Sequence, residues 1–369
     1  MYIDKKLLKN DEETVYKLRK LYQSYGYNRY KMSKFEEYDL YVKNKDFLIS
    51  DGVITFTDTS GRLLALKPDV TLSIINNCKD TKDEVHKVYY NENVYRISGS
   101  SNTYKEIMQT GLECIGALGT FEICEVICLA LKSLSIIDKD YVMQISHIGL
   151  LNSVLDELCI FDDDKKEILL LISSKNDDGI KSFCEQKGFD CSVAQKLMLF
   201  TKNYSDVKDA VDTLKEVANG KQLEEFEKIL NVLVDCGYED KFTVDFSVVG
   251  GMRYYSGVVF KGYINSIPTS VCSGGQYDKL MKKMGRSSSA IGFAVYLDEL
   301  NRFKGDINEY DVDIVLIDNG NVSEVLKTSR RLSENGESVR VCKNIPKDIR
   351  FKKAVAIKDG EVEVISENA

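Results

Sequence analysis

Apolar positions recur along this chain at two periods, and the places where the period changes mark out most of its elements. From Asp11 to Tyr25, Val15, Leu18, Leu21 and Tyr22 fall at spacings of three and four, which predicts a helix burying one stripe before Gly26 ends it. Phe56 starts a strand that turns at Thr59-Ser60-Gly61 and becomes apolar at Leu63, Leu64 and Leu66. Pro68 then opens a helix, since its missing N–H costs nothing in a first turn, and Asp69 suits the positive end of the dipole. Val88, Tyr90, Val94 and Tyr95 read as strand and Gly99-Ser100-Ser101-Asn102 as a flexible turn. The return strand, to Gly116, carries Glu106, Gln109 and Glu113 among apolar neighbours.

Phe121 to Ile137 is nearly all apolar, as expected of a helix buried behind a sheet. Tyr141 to Leu151 reads as a strand entering a helix, with His147 a hydrogen-bonded core residue. From about Leu151 to Gly237 the pattern is helical, with Leu223, Phe226, Ile229, Leu230 and Leu233 at helix spacing. Phe242 to Tyr263 predicts two strands broken at Gly250-Gly251, and Ala290 to Leu300 a strand running into a helix. Beyond Asp311 come a strand (Val312 to Ile317), a helix capped by Asn321 and Glu324, a strand (Ser338 to Cys342) and a third short one at Val355-Ala356-Ile357.

The length of 369 residues exceeds one ordinary core and predicts two or three units, one of them large. A formal net charge of −8 argues against a broad electrostatic footprint for nucleic acid or an anionic membrane. Ten cysteines without CxxC pairs, beside only two histidines, predict reduced and mostly buried thiols of a cytoplasmic protein with no zinc site. No apolar run of membrane-spanning length occurs, and the charged, amphipathic N-terminal stretch lacks the apolar core of a signal peptide.

The strand–turn–strand from Val88 to Gly116, with Arg96 near the end of its first strand, resembles motif 2 of the class II aminoacyl-tRNA synthetases, and most closely the histidyl-tRNA synthetase family. Tyr25-Gly26-Tyr27 through Tyr38-Asp39 is similar to the dimer-forming motif 1, with Ser33 in place of its usual proline. Leu66-Lys67-Pro68-Asp69-Val70-Thr71 resembles the element that holds the amino group of the bound amino acid, with Lys67 in place of an arginine. Tyr254 and Tyr255 match tyrosines that line the histidine side-chain pocket. Cys272 to Leu280 contains a Gly-Gly turn that permits close approach of a ligand. The resemblance implies an α+β fold: a class II synthetase-like core with an antiparallel sheet and flanking helices over residues 1–305, a helical insertion at about 151–237, and a small α/β domain over 311–369, a shortened anticodon-binding domain.

Of the three arginines the family sets against the nucleotide, only Arg96 is kept. The others stand as Gly250 and Glu299, the family aspartate is Arg253, and the glutamate after the motif 2 arginine is Ser98. An acid cannot replace a guanidinium against a triphosphate. The contacts expected around an amino acid survive in kind: Asp69, Thr71, Gln109, Glu113, Tyr254 and Tyr255, with Arg96 for a carboxylate or phosphate. This combination resembles the regulatory-subunit family of ATP phosphoribosyltransferase, paralogues of the histidyl-tRNA synthetases. It implies a protein with no catalytic residues, metal or cofactor. Its partners would be a short-form catalytic subunit and its own copies, as a dimer within a hetero-octamer, with histidine as effector. The last 59 residues hold 10 Lys/Arg against 11 Asp/Glu, so no basic surface for tRNA is expected. The alternatives are a free-standing histidine-binding paralogue or an active histidyl-tRNA synthetase, which would need a compensating cation near Glu299, from Arg286 or Arg302.

Overall fold

A computed structural model describes residues 10–44, 52–78, 80, 84–97, 103–249, 255–298, 300 and 310–367. The chain forms two compact units, Met1–Phe303 and Lys304–Ala369. Helix α1 (Asn10–Ser24) buries Val15, Leu18 and Tyr22, and Gly26 follows at φ +80°, a conformation glycine adopts without strain. The strands β1 (Asn28–Arg29) and β2 (Phe35–Glu37) precede helix α2 (Tyr38–Lys43). Strand β2 joins β3 (Thr55–Thr57) and β4 (Leu63–Leu66) in a small sheet ordered β2-β4-β3.

Helix α3 (Thr71–Asn77) starts after Val70, so Pro68 does not open it. The carbonyl of Lys67 accepts from Tyr95 N at 2.9 Å and that of Pro68 from Arg96 Nε at 3.0 Å, which ties this segment to the next strand and keeps it from winding. Asp69 still meets the helix start, its Oδ1 accepting from Leu72 N at 2.9 Å.

Strands β5 (His86–Ile97) and β6 (Tyr104–Gly116) form the long hairpin; its turn, including Ser98 to Asn102, lies outside the described residues. Helix α4 (Thr120–Ile137) is buried along most of its length. Strand β7 (Tyr141–His147) leads into α5 (Ile148–Glu157), where His147 Nδ1 accepts from Leu150 N at 2.9 Å. Burial pushes this imidazole down to about 4, so it is neutral, the core residue its apolar setting implied.

The helical stretch continues through α6 (Asp162–Ser173), α7 (Asp177–Lys187) and α8 (Cys191–Met198). A two-residue strand, β8 (Asn203–Tyr204), interrupts it before α9 (Val207–Lys215) and α10 (Lys221–Asp235). Leu223, Phe226, Ile229, Leu230 and Leu233 are the buried stripe of α10. The core resumes with β9 (Phe242–Asp245), β10 (Val258–Ile264), β11 (Cys272–Gln276), α11 (Asp278–Lys283) and β12 (Ser289–Tyr296).

These strands make a nine-stranded sheet ordered β1-β5-β6-β12-β11-β10-β7-β9-β8. It is antiparallel through its centre, as the class II synthetase-like reading expects, while β1 pairs with β5 and β7 with β9 in parallel. The motif 1 segment accordingly divides between two sheets. Helix α4 packs on one face, so closely that a Cβ on Gly262 would stand 2.5 Å from Leu134.

In the second unit β13 (Val312–Ile317), α12 (Val322–Glu334), β14 (Val339–Cys342), β15 (Phe351–Lys358) and β16 (Glu361–Glu367) give a sheet ordered β14-β13-β15-β16. Asn321 Oδ1 caps α12 by accepting from Glu324 N at 3.3 Å. Strand β15 is longer than its apolar triplet suggested, and β16, mostly exposed and polar, had no apolar face to mark it.

All ten cysteines are free, and Cys114, Cys124, Cys184 and Cys272 are buried. Cys159, Cys191 and Cys236, contrary to expectation, are exposed at helix ends. Phe226 is fully buried between His147 and Phe246, with ring centroids 5.7 and 6.3 Å away. Phe226→Ala is expected to lower unfolding stability by about 3–5 kcal/mol, read from urea midpoints at constant slope. Lys215→Ala, which breaks only a half-exposed pair with Glu227, is expected to cost under about 1 kcal/mol.

Candidate functional site

Glu113 projects from β6 above Gly292, its partner on β12. A Cβ at Gly292 would stand 1.7 Å from Glu113 Oε2, so the carboxyl occupies space that only glycine leaves. Gly275, paired with Gly292 from β11, continues this floor, and a Cβ there would press on Tyr255 at 2.8 Å. Glu113 is 2% exposed, and both its oxygens are engaged. Thr71, at the start of α3, donates to Oε1 at 2.8 Å, and Tyr277, at the start of α11, donates to Oε2. Burial pushes the Glu113 carboxyl up to about 8; the two hydroxyl donors pull it back and the neighbouring Asp69 adds to the rise. Asp69 is itself raised by burial, against the Leu72 amide and the Arg96 guanidinium.

Asp69, Thr71, Arg96, Gln109, Glu113 and Tyr255, expected from the sequence, all line one cavity with these groups. Gln109 is 4% exposed, and its side-chain amide, without a hydrogen bond among the described residues, is available to a ligand. Arg96 reaches in from the far end of β5, its Nε on the Pro68 carbonyl. The free space is about 30 Å³, room for one or two waters and less than an amino acid occupies, so a ligand of that size enters only as the surrounding side chains move. Tyr254 lies outside the described residues, as do Gly250, Arg253, Glu299 and Arg302.

The sequence reading missed Tyr277, Gly292, Ser273 and Tyr296. Ser273 and Tyr296 share a 2.5 Å hydrogen bond on the cavity wall. Tyr277 directly follows the Gly-Gly-Gln run already singled out, the one signal that could have found it. Lys67, by contrast, leaves the site: 1% exposed, it pairs with Glu92 and lines a separate small cavity. Glu106 is exposed and accepts from Asn93 and Tyr95. Arg286 Nη2 donates to the carbonyls of Ile75 and Asn76 at 3.1 and 3.2 Å and holds the far end of α3.

The motif 1 segment lines a larger groove of about 740 Å³. Its walls include Tyr30, Phe35 and Leu40, together with Ser73, Asn76 and Asn77 of α3. Phe35 is half exposed and meets the ring of Phe56 edge to face at 5.2 Å. Among the described residues no group of His, Cys, Asp and Glu could hold a metal ion, and no helix is long and apolar enough to cross a membrane.

The family model described as histidyl-tRNA synthetase matches residues 4–300, the stretch that carries both cavities. The chain belongs to the histidyl-tRNA synthetase family. Within that family it is 25% identical over 355 residues to an ATP phosphoribosyltransferase regulatory subunit of Bacillus cereus, covering 92% of this chain and 84% of the relative. It is 30% identical over 342 residues to a histidine–tRNA ligase of Methanococcus maripaludis, covering 88% and 80%. Among solved structures, the ATP phosphoribosyl transferase (HisG:HisZ) complex from Thermotoga maritima shares the fold, with a TM-score of 0.63 at 22% identity over 77% of this chain and 96% of that one. The class II synthetase-like core inferred from the sequence is therefore the fold of this chain.

The folded carboxyl of Glu113 titrates near 8, well above the ordinary 4.5. Its contribution to stability is therefore present below the unfolded value and lost as pH rises toward 8. Relative to Glu113→Gln, the wild-type chain is expected to lose on the order of a few kcal/mol between pH 5 and 8 in urea unfolding. A difference that stays flat across that range means Glu113 is already ionised in the folded state.

Proposed function

We propose that this chain is a non-catalytic regulatory subunit of ATP phosphoribosyltransferase, at the first step of histidine biosynthesis. A short-form catalytic subunit requires it for activity, and it carries feedback inhibition by histidine. One observation carries this reading: the cavity keeps an amino-acid set of side chains, while two of the cations the family sets against ATP are Gly250 and Glu299 in this sequence. Stabilising a transferring nucleotide takes positioned cations worth several kcal/mol. Support comes from the similarity to regulatory subunits and from the two-component complex among the related structures.

In this reading Glu113 and Asp69 pair with the ligand ammonium, Gln109 adds a hydrogen bond, and Arg96 takes the carboxylate. Tyr254 and Tyr255 enclose the imidazole. Copies of the chain pair through the motif 1 groove, and four of them assemble with four catalytic subunits in the cytoplasm, a setting that suits ten unpaired cysteines. Histidine shifts the assembly between states by binding them unequally.

A carboxyl with a pKa near 8 must ionise before it can pair with an ammonium. Histidine binding is therefore expected to release close to one proton and to tighten as pH rises from about 6 to 8, measurable by calorimetry in buffers of different ionisation enthalpy. The decisive assay is formation of phosphoribosyl-ATP by a short-form catalytic subunit from the same organism. Activity is expected only in the mixture, to fall with histidine, and to lose that sensitivity in Glu113→Gln. A second reading, an active histidyl-tRNA synthetase, is favoured by the 30% identical ligase and predicts histidine-dependent pyrophosphate exchange by this chain alone.

A further inference from the structure

Lys261 stands in the middle of β10, paired with Ser273 of β11 on one side and Gln144 of β7 on the other. Directly paired residues project from the same face of a sheet, so Lys261 leaves on the side of Ser273, which lines the amino-acid cavity. The opposite face of this strand is the one that packs on α4 through Gly262. The Lys261 side chain is half-buried and, among the described residues, has neither ion pair nor hydrogen bond. Desolvation lowers its pKa, and no neighbouring acid opposes that shift. Asp245, bound to Gln144 beside Lys261, is already engaged: it accepts from Lys175 Nζ at 2.8 Å, from Gln144 Nε2 at 3.0 Å and from Ser247 N at 2.9 Å. On the same face the fully buried Ser146, partner of Val259, has a hydroxyl with no hydrogen-bond partner among the described residues. A cation partly removed from water without a counter-ion costs free energy that a bound anion would return.

We infer that Lys261 anchors an anion-binding subsite beside the amino-acid cavity, with Ser273 and Gln144 flanking it, and that its ligand group is an oxyanion, phosphate or carboxylate. Strands β12 and β11 separate Lys261 from Glu113, so the two positions lie about 14 Å apart across the sheet at ordinary strand spacing. An α-amino acid held at Glu113 does not span that distance, which favours a separate phosphate-type ion. The inference does not depend on histidine being the cavity's ligand.

The test is calorimetric titration of the full chain with inorganic phosphate, pyrophosphate and, separately, histidine, using wild type, Lys261→Met and Lys261→Arg. Methionine keeps the unbranched stem and removes only the charge, and thermal unfolding checks that the variants fold. Saturable pyrophosphate binding that weakens about tenfold or more in Lys261→Met and is largely restored in Lys261→Arg supports the subsite. Weakening of histidine binding alone, with pyrophosphate binding unchanged, overturns it, since an amino acid held at Glu113 does not reach Lys261. Binding of every probe equal in wild type and Lys261→Met, or no anion binding to wild type, overturns it; Lys261 then only covers apolar surface with its stem.

Discussion

A carboxyl group buried at the centre of a sheet must be surrounded by donors, and the arrangement around Glu113 follows from that requirement. Left without partners it would cost several kcal/mol. The chain meets the cost with two hydroxyls from distant segments, Thr71 and Tyr277, each at the start of a helix. It makes the necessary space by leaving out a side chain at Gly292. One acid thus draws together the first turns of α3 and α11 and requires a glycine on the central strand beside it. Breaking any of these contacts strands the others.

In the proposed reading, two abilities that travel together in a synthetase are separated here. Recognition of a small zwitterion needs a buried acid, a hydroxyl and an amide in register, and β5, β6, β12 and α3 supply them. Nucleotide activation needs positioned cations. Here Lys67 is consumed by Glu92, Arg286 by the end of α3, and Arg96 spends one donor on a backbone carbonyl. Among the described residues these three cations hold structural contacts, while the acid and amide line the small cavity.

Much of the fold was legible because period and burial coincide. The stripes of α1 and α10 are buried where their spacing puts them, and the hairpin of β5 and β6 follows its β-branched and aromatic residues. The start of α3 was misread because Pro68 is a good first-turn residue in isolation. Tertiary hydrogen bonds from Tyr95 and Arg96 to the preceding carbonyls decided otherwise. The site was half legible: its β6 and α3 residues lie close in sequence and carry the family motif. Ser273 and Tyr296 join it only through cross-strand pairing, and Tyr277 through a hydroxyl that reaches Glu113 from the start of α11, which no local pattern records. The short edge strands β1 and β8 are two residues each, too brief for any periodicity.

Helix α3 belongs to two cavities at once. Thr71 at its first turn touches Glu113, while Ser73, Asn76 and Asn77 face the larger groove, and Arg286 grips its last carbonyls. Seven residues of helix make a rod about 10 Å long, stiff on that scale. Its two ends cannot be displaced independently. A displacement of α3 on the groove side is therefore also a displacement of the hydroxyl on the buried acid, and the two cavities stand no further apart along the chain than two turns of helix.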